Sequence, residues 1–195
     1  MKSELQKLKK EVALLLPLVY KDPLTGLYNR RGFLEEGGKI FQAVLEGRKH
    51  KGRRKNFLIK NLSLIFIDLD DFKKINDVFG HEAGDFILKR FAEILKENFR
   101  SSDLIGRWGG EEALALLAGA VLKDACKIAE ALRQKIQESV FKFKGKKMKL
   151  TASFGVAEIK EKGIKIERKL EELIAKADKA MYRAKKKGKN KVITL

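Results

Sequence analysis

Two hydrophobic periods alternate along the chain, and each change of period marks an element. Leu62-Ser-Leu-Ile-Phe-Ile-Asp-Leu-Asp is a nearly continuous apolar run with branched and aromatic residues. It predicts a strand buried on both faces and ending in acid. A short helix is expected around Phe72–Val78. A longer one is expected from about Gly84 to Asn98, with Ile87, Leu88, Phe91, Ile94 and Leu95 on one face. Leu104–Trp108 and Ala113–Ala118 flank Gly109-Gly110-Glu111-Glu112, the pattern of a β-hairpin. A helix over about Leu122–Ser139 turns Ile128, Leu132 and Ile136 inward. Phe141–Phe143 and Met148–Ile159 predict a second hairpin around Gly145. Glu167–Lys187 reads as a helix with Leu170, Leu173, Ile174, Ala177, Ala180 and Met181 inward and Gly188 as its cap. Val192–Leu195 is a terminal edge strand. Upstream, a turn containing Pro23 and Gly26 precedes a helix from about Arg30 to Glu46, followed by a basic loop, Gly47–Lys60. The order implies a mixed α/β sheet covered by helices, with no internal repeat and no second core.

Residues 1–20 stand apart. Leu5, Leu8, Val12, Leu15 and Val19 form a short heptad seam that Pro17 interrupts. They are expected to be an N-terminal helix or linker, with the domain proper over 21–195.

Composition narrows the classes. The chain has 195 residues, 44% of them hydrophobic, enough for a real core. Cys126 is the only cysteine, and His50 and His81 are the only histidines, so disulfide scaffolds and Cys- or His-rich metal sites are excluded. Cys126 is expected to be a packed core residue. The longest apolar run, Ala113–Leu122, is about half of the ~20 residues that span a bilayer. Met1–Lys10 lacks the apolar core of a signal peptide. The expectation is a soluble, cytoplasmic protein with no membrane span. The net charge of +18 points to a polyanionic partner or to a Lys-rich solvated surface.

The acids carry the chemistry. Asp68 and Asp70 close a buried strand and share a face if extended structure continues that far. Glu111 and Glu112 occupy the Gly-Gly hairpin. Carboxylates from a strand end and an adjacent hairpin have the layout of a Mg²⁺ site that leaves positions for phosphates. Gly80-His-Glu-Ala-Gly84-Asp85 opens a helix, where glycines allow close approach of a phosphate or base. Asp85 and Asn76 could read a base edge or cap a helix or turn; spacing alone favours capping. Among the C-terminal cations around Gly188, one or two would suit a triphosphate.

Together these pieces resemble the GGDEF domain of diguanylate cyclases, which condense two GTP into cyclic di-GMP. The resemblance rests on six motifs in family order: Asp22-Pro-Leu-Thr-Gly-Leu-Tyr-Asn-Arg-Arg, Asp68-Leu-Asp-Asp-Phe-Lys-Lys-Ile-Asn-Asp, Gly80-His-Glu-Ala-Gly-Asp85, Arg107-Trp-Gly-Gly-Glu-Glu, Ser153-Phe-Gly-Val-Ala and Ala177-Asp-Lys-Ala-Met-Tyr-Arg-Ala-Lys-Lys-Lys-Gly-Lys-Asn190. It covers about residues 21–195 and implies a palm-like nucleotidyl-cyclase fold, a central, mixed but mostly antiparallel sheet flanked by helices. It also implies two Mg²⁺ or Mn²⁺ ions per site, held by Asp68, the Leu69 carbonyl, Glu111 and Glu112. Catalysis falls to Asp68, Glu111 and Glu112, with Glu111 assisting deprotonation. Asn76 and Asp85 would pair with guanine. Lys73, Lys185 and Lys189 would contact the phosphates, Phe72 would line the substrate site, and Gly109 and Gly110 would admit the nucleotide. A homodimer is required, because each domain holds one GTP. Arg100-Ser-Ser-Asp103 matches an Arg-x-x-Asp product-inhibition motif for cyclic di-GMP. The secondary arginine falls near Ala131, with Arg133 as a substitute.

Three positions depart from that pattern. Ala113 replaces a phenylalanine expected to pack under the hairpin, which puts the hairpin's placement in doubt. Lys189 replaces arginine, and Asp71 replaces histidine or an aromatic residue. Ala113 motivates an alternative, a catalytically degenerate domain that binds GTP or cyclic di-GMP and regulates a partner. A third reading, a nucleic-acid-binding palm-like protein, is motivated by the charge, but no RNA-stacking aromatic motif supports it. No specific nucleic-acid partner is expected.

Overall fold

The computed structural model describes residues 19–49, 61–159 and 169–195, together with residues 4, 6 and 7. The elements among them are α1 (Arg30–Lys49), β1 (Leu62–Leu69), α2 (Phe72–Phe79), α3 (His81–Asn98), β2 (Leu104–Gly109), β3 (Glu112–Ala118), α4 (Leu122–Glu138), β4 (Phe141–Phe143), β5 (Lys146–Met148), β6 (Ala152–Glu158), α5 (Lys169–Lys186) and β7 (Val192–Thr194).

The main sheet has the order β2-β3-β1-β6-β7. All its pairings are antiparallel except β6 with β7. β1 is therefore central, which is why every one of its residues is buried. Alternation splits its side chains between two cores. Leu62, Leu64 and Phe66 join Phe33, Phe41 and Val44 of α1 and Leu173, Ile174 and Met181 of α5. Ile65, Ile67 and Leu69 join Phe72 of α2, Ile87, Phe91 and Leu95 of α3, and Leu132 and Ile136 of α4. Each fully buried Leu, Ile or Phe among them contributes ~1.5–3 kcal/mol. Asp68 continues the parity of Leu64 and Phe66, so it lies on the α5 face.

The seating of α5 depends on Gly155. A Cβ there would fall 1.9 Å from the Ala177 carbonyl oxygen, so only glycine lets the helix lie this close to β6. That approach fixes the helix end carrying Lys185. The end closes as expected at Gly188, whose N–H donates to Lys185 O while Lys189 N–H donates to Ala184 O.

Several expectations need correction. Met148–Ile159 is not one strand: Lys146–Met148 pairs with β4 in a separate two-stranded hairpin, and Ala152–Glu158 enters the main sheet. The long helix starts at His81, because Gly80 both ends α2 and precedes α3, leaving Gly84 inside the helix. α1 runs on to Lys49. β1 ends at Leu69, so Asp70 lies beyond it. Heptad positions Leu5, Leu8, Val12 and Leu15, with Pro17, and residues 50–60 of the basic loop, His50 included, lie outside the described residues. Among the described residues, no helix is long and apolar enough to cross a membrane.

Candidate active site

Three chain segments meet at the end of β1. The first is the strand end itself. Asp68 is 6% exposed and faces Glu112 across the β1–β3 pair. Lys185 Nζ, from the last turn of α5, lies 2.6 Å from Asp68 Oδ1. The contact offsets charge at that buried oxygen. Burial pushes the Asp68 carboxyl above its ordinary range; Lys185 opposes this, while Glu111 and Asp70 add to it. Glu112 is likewise pushed up, first by burial and then by Asp68, Asp178 and Glu111. The site thus holds more negative charge than its own cations relieve.

Asp70 differs from Asp68. It accepts hydrogen bonds from Thr151 Oγ1 and Ser153 Oγ at 2.7 Å and from Asn190 N–H at 3.0 Å. Three donors from two other segments hold it, so it ties the chain together.

These donors suit a hard cation. All are oxygens, and Asp68's carboxylate is buried with Lys185 as its charged partner. Among the described residues, no three acidic, histidine or cysteine side chains converge to cage an ion alone.

The second segment is the β2–β3 hairpin. A register shift at Trp108 bends its tip. A Cβ built on Gly109 would meet Glu112 only at 3.7 Å, and one on Gly110 would meet nothing within 4 Å, so the space above both is open. Arg107 braces the tip: its Nε donates to Gly110 O at 2.9 Å, and its Nη1 reaches both carboxylate oxygens of Asp22 at 3.1–3.2 Å. Asp22 also accepts from the N–H and hydroxyl of Thr25. Burial opposes its ionisation, but the Thr25 bonds and the Arg107 guanidinium outweigh it and hold the carboxyl below its usual range. Trp108 stacks beneath the Arg30 guanidinium, 4.4 Å from its ring centre, and meets Phe33 edge-on. Ala113 keeps the regular register opposite Ile67 and is buried, so the hairpin forms without the larger side chain. It borders a cavity of about 10 Å³ between Leu27, Leu88 and Phe91, no larger than one water.

The third segment is the α2–α3 junction. Asn76 lies within α2 and Asp85 within the second turn of α3, and the cap at Gly80 makes no side-chain bond. Neither side chain caps a helix, which removes the reading that spacing favoured. A Cβ on Gly84 would fall 2.0 Å from Asn76 Oδ1, so glycine lets the carboxamide lie against α3 beside Asp85. Phe72 is core, and only its backbone in the first turn of α2 is on offer; Lys73 is exposed. His81 begins α3 and is exposed. The β4–β5 hairpin grips this junction through Phe143 on Phe86, with ring centres 5.3 Å apart, and Lys144 on Glu82.

Two cations singled out in the sequence have partners within the domain. Lys189 Nζ does not stand free: it pairs with Asp71 Oδ2 at 2.8 Å. Arg133, two residues beyond Ala131, is engaged with Glu130, Gln137 and Asn190. Arg100 and Asp103 do form a closed turn, with Arg100 N–H donating to Asp103 Oδ2 at 3.0 Å. They border a groove of about 320 Å³ that also contains Lys21 and Lys96. Cys126 packs against the core, and burial raises its thiol pKa.

Sequence reasoning quoted Asp22 and Arg107 only as motif members and missed their bracing role. The Asp22-x-x-Thr25 spacing of a side-chain-closed turn was the available signal. Nothing local predicted its partner 85 residues away.

Comparison with known proteins agrees with this layout. The family model described as "Diguanylate cyclase, GGDEF domain" matches residues 19–191. The diguanylate cyclase DgcP of Pseudomonas aeruginosa is 38% identical over 173 residues, 88% of this chain and 23% of that protein. The structure of the active GGEEF domain of a diguanylate cyclase from Vibrio cholerae matches with a TM-score of 0.73 at 28% identity, covering 85% of this chain and 96% of that one. The coiled coil and GGDEF domain of DgcB from Caulobacter crescentus, in complex with c-di-GMP, shares the fold at a TM-score of 0.82 and 22% identity, covering 100% of this chain and 95% of that one. The chain spans between about a quarter and a half of the length of the curated relatives it matches. With sheet order, hairpin and family model in agreement, the chain belongs to the GGDEF-domain family of diguanylate cyclases.

Proposed function

We propose that residues 21–195 form a diguanylate cyclase domain that joins two GTP into cyclic di-GMP and releases pyrophosphate. The observation that carries this is the buried Asp68 carboxylate, held by Lys185 next to the open Gly109–Gly110 turn. Asp68, the Leu69 carbonyl, Glu111 and Glu112 would hold two Mg²⁺ or Mn²⁺ ions, which activate the attacking hydroxyl and neutralise charge at the α-phosphate. Asn76 and Asp85 pair with the guanine edge. Lys73, Lys185, Lys189 and the Phe72 backbone bind the phosphates, and the Gly109–Gly110 backbone admits the nucleotide. Glu111 accepts the proton of the 3′-hydroxyl, whose oxygen bonds to the other GTP's α-phosphorus as the bond to pyrophosphate breaks. Each domain holds one GTP, so two domains face each other. Arg100 and Asp103 take the product as a feedback ligand.

Family membership, the retained acids and the glutamate variant named in the V. cholerae domain support this reading. A second reading, a regulatory module that binds GTP or cyclic di-GMP without turnover, is favoured only by Ala113. The test is incubation with GTP and Mg²⁺ followed by chromatography of products. Cyclic di-GMP is expected from the native chain, with a loss of at least about 100-fold in Glu111→Gln. Tight GTP binding by calorimetry with no cyclic dinucleotide, even at high protein concentration, selects the regulatory reading.

A further inference from the structure

Asp71 sits where a helix cap belongs but does not cap. It precedes α2 with left-handed backbone, φ 57°; its carbonyl accepts from Lys74 N–H at 2.9 Å, but its carboxylate makes no bond to the helix's N–H groups. Both its oxygens go to ammonium groups instead. Oδ1 meets Lys74 at 2.8 Å and Oδ2 meets Lys189 at 2.8 Å, a residue 118 positions away. Next to Lys189, Asn190 N–H is held by Asp70, so the backbone that presents the lysine is pinned. Lys185, four residues before Lys189, pairs with Asp68, and Asp71 lies three residues beyond Asp68, so the Lys189–Asp71 pair sits beside the acidic end of β1.

The two cations are held differently. Lys185 pairs with Asp68, whose side chain is 8% exposed. Lys189 and Asp71 are each 40% exposed. A pair in that setting is largely screened by water and is weak, so an incoming polyanion can replace Asp71.

We propose that Asp71 is a resident counter-anion for Lys189, which the phosphates of a bound nucleotide must displace, so that the pair sets the affinity of the site for polyphosphate. This rests on reading the site as one for GTP. Asp71 is here a positioning residue: it touches Lys189 and no reacting atom.

Asp71→Asn keeps the size and the tolerance for left-handed backbone while removing the charge. The probes are inorganic tripolyphosphate, a non-hydrolysable GTP analogue and guanosine, each with Mg²⁺, titrated by calorimetry into native and variant chains. Thermal melts confirm that the variants fold. Kd for the GTP analogue and for tripolyphosphate should tighten about two- to fivefold in Asp71→Asn. Guanosine, which has no phosphates, should not respond. Adding Lys189→Gln to Asp71→Asn should erase the gain. Unchanged or weaker polyphosphate binding in Asp71→Asn overturns the inference, as does an equal gain for guanosine or a gain that survives Lys189→Gln. If tripolyphosphate responds as expected but the native chain binds no guanine nucleotide, the counter-anion stands and the GTP reading falls.

Discussion

Individual side chains at this site work against the fold's stability. Glu112 is partly buried among Asp68, Asp178 and Glu111, and only Lys185 relieves it. Its carboxyl is raised, so the ionised form is less favourable folded than unfolded at neutral pH. The ion-free domain therefore carries a cost that a neutral isostere removes. Glu112→Gln should melt at a higher temperature than the native chain when both are free of divalent ions. It should also cut cyclic di-GMP formation on the order of 100-fold or more, since a proposed metal ligand is gone. Paired melting curves and turnover assays check both signs. A lower melting temperature would mean that Glu112 contributes packing or bonding that outweighs its repulsion.

The elements were largely legible in the sequence because their cues are local. β1 shows as a nearly continuous apolar run, α5 as a 3.6-residue stripe, and the signature hairpin as two apolar runs around Gly-Gly. What failed lacked a local cue. No glycine or proline marks the break at Lys149–Thr151, where the chain leaves the small hairpin and Asp70 N–H bonds to Thr151 O. Gly84 looked like a helix start, but the approach of Asn76 requires it inside α3. The acids were all visible, yet their partners were not: Asp68 with Lys185, Asp71 with Lys189 and Asp22 with Arg107 are pairings across the chain that only folding brings together. The last pairing links the 22–25 turn to the hairpin tip and makes a pH prediction. Asp22 is depressed in the folded state, so its contribution is complete above the unfolded carboxylate value of about 3.9 and is lost as pH falls through the folded value. Native chain should therefore lose more stability on acidification below about pH 4 than Asp22→Asn does, with the two differing most at neutral pH. Denaturant midpoints measured from pH 7 to pH 3 test this. A constant difference across that range would rule out titration of Asp22 as its source.

The charge of +18 belongs to the chain as a body, and it acts oppositely on the two assemblies the proposed reaction requires. It attracts an anionic nucleotide, and it repels a second copy of the same domain. The Debye length falls to about 10 Å at 0.1 M salt, so both long-range effects weaken together as salt rises. Which one limits the rate then depends on concentration. With dilute protein and saturating GTP, pairing of domains is limiting, and moderate salt should raise specific activity severalfold by screening repulsion. With concentrated protein and GTP well below saturation, nucleotide capture is limiting, and the same salt should lower activity. In the dilute regime the rate should rise with the square of protein concentration, because two half-sites must meet. A two-by-two assay, low and high protein against low and high GTP and each run across a salt series, reads all three slopes. Salt effects of the same sign in both corners would show that charge acts on one assembly alone. A rate linear in protein down to nanomolar concentration would show a pair already formed by contacts that overcome the repulsion.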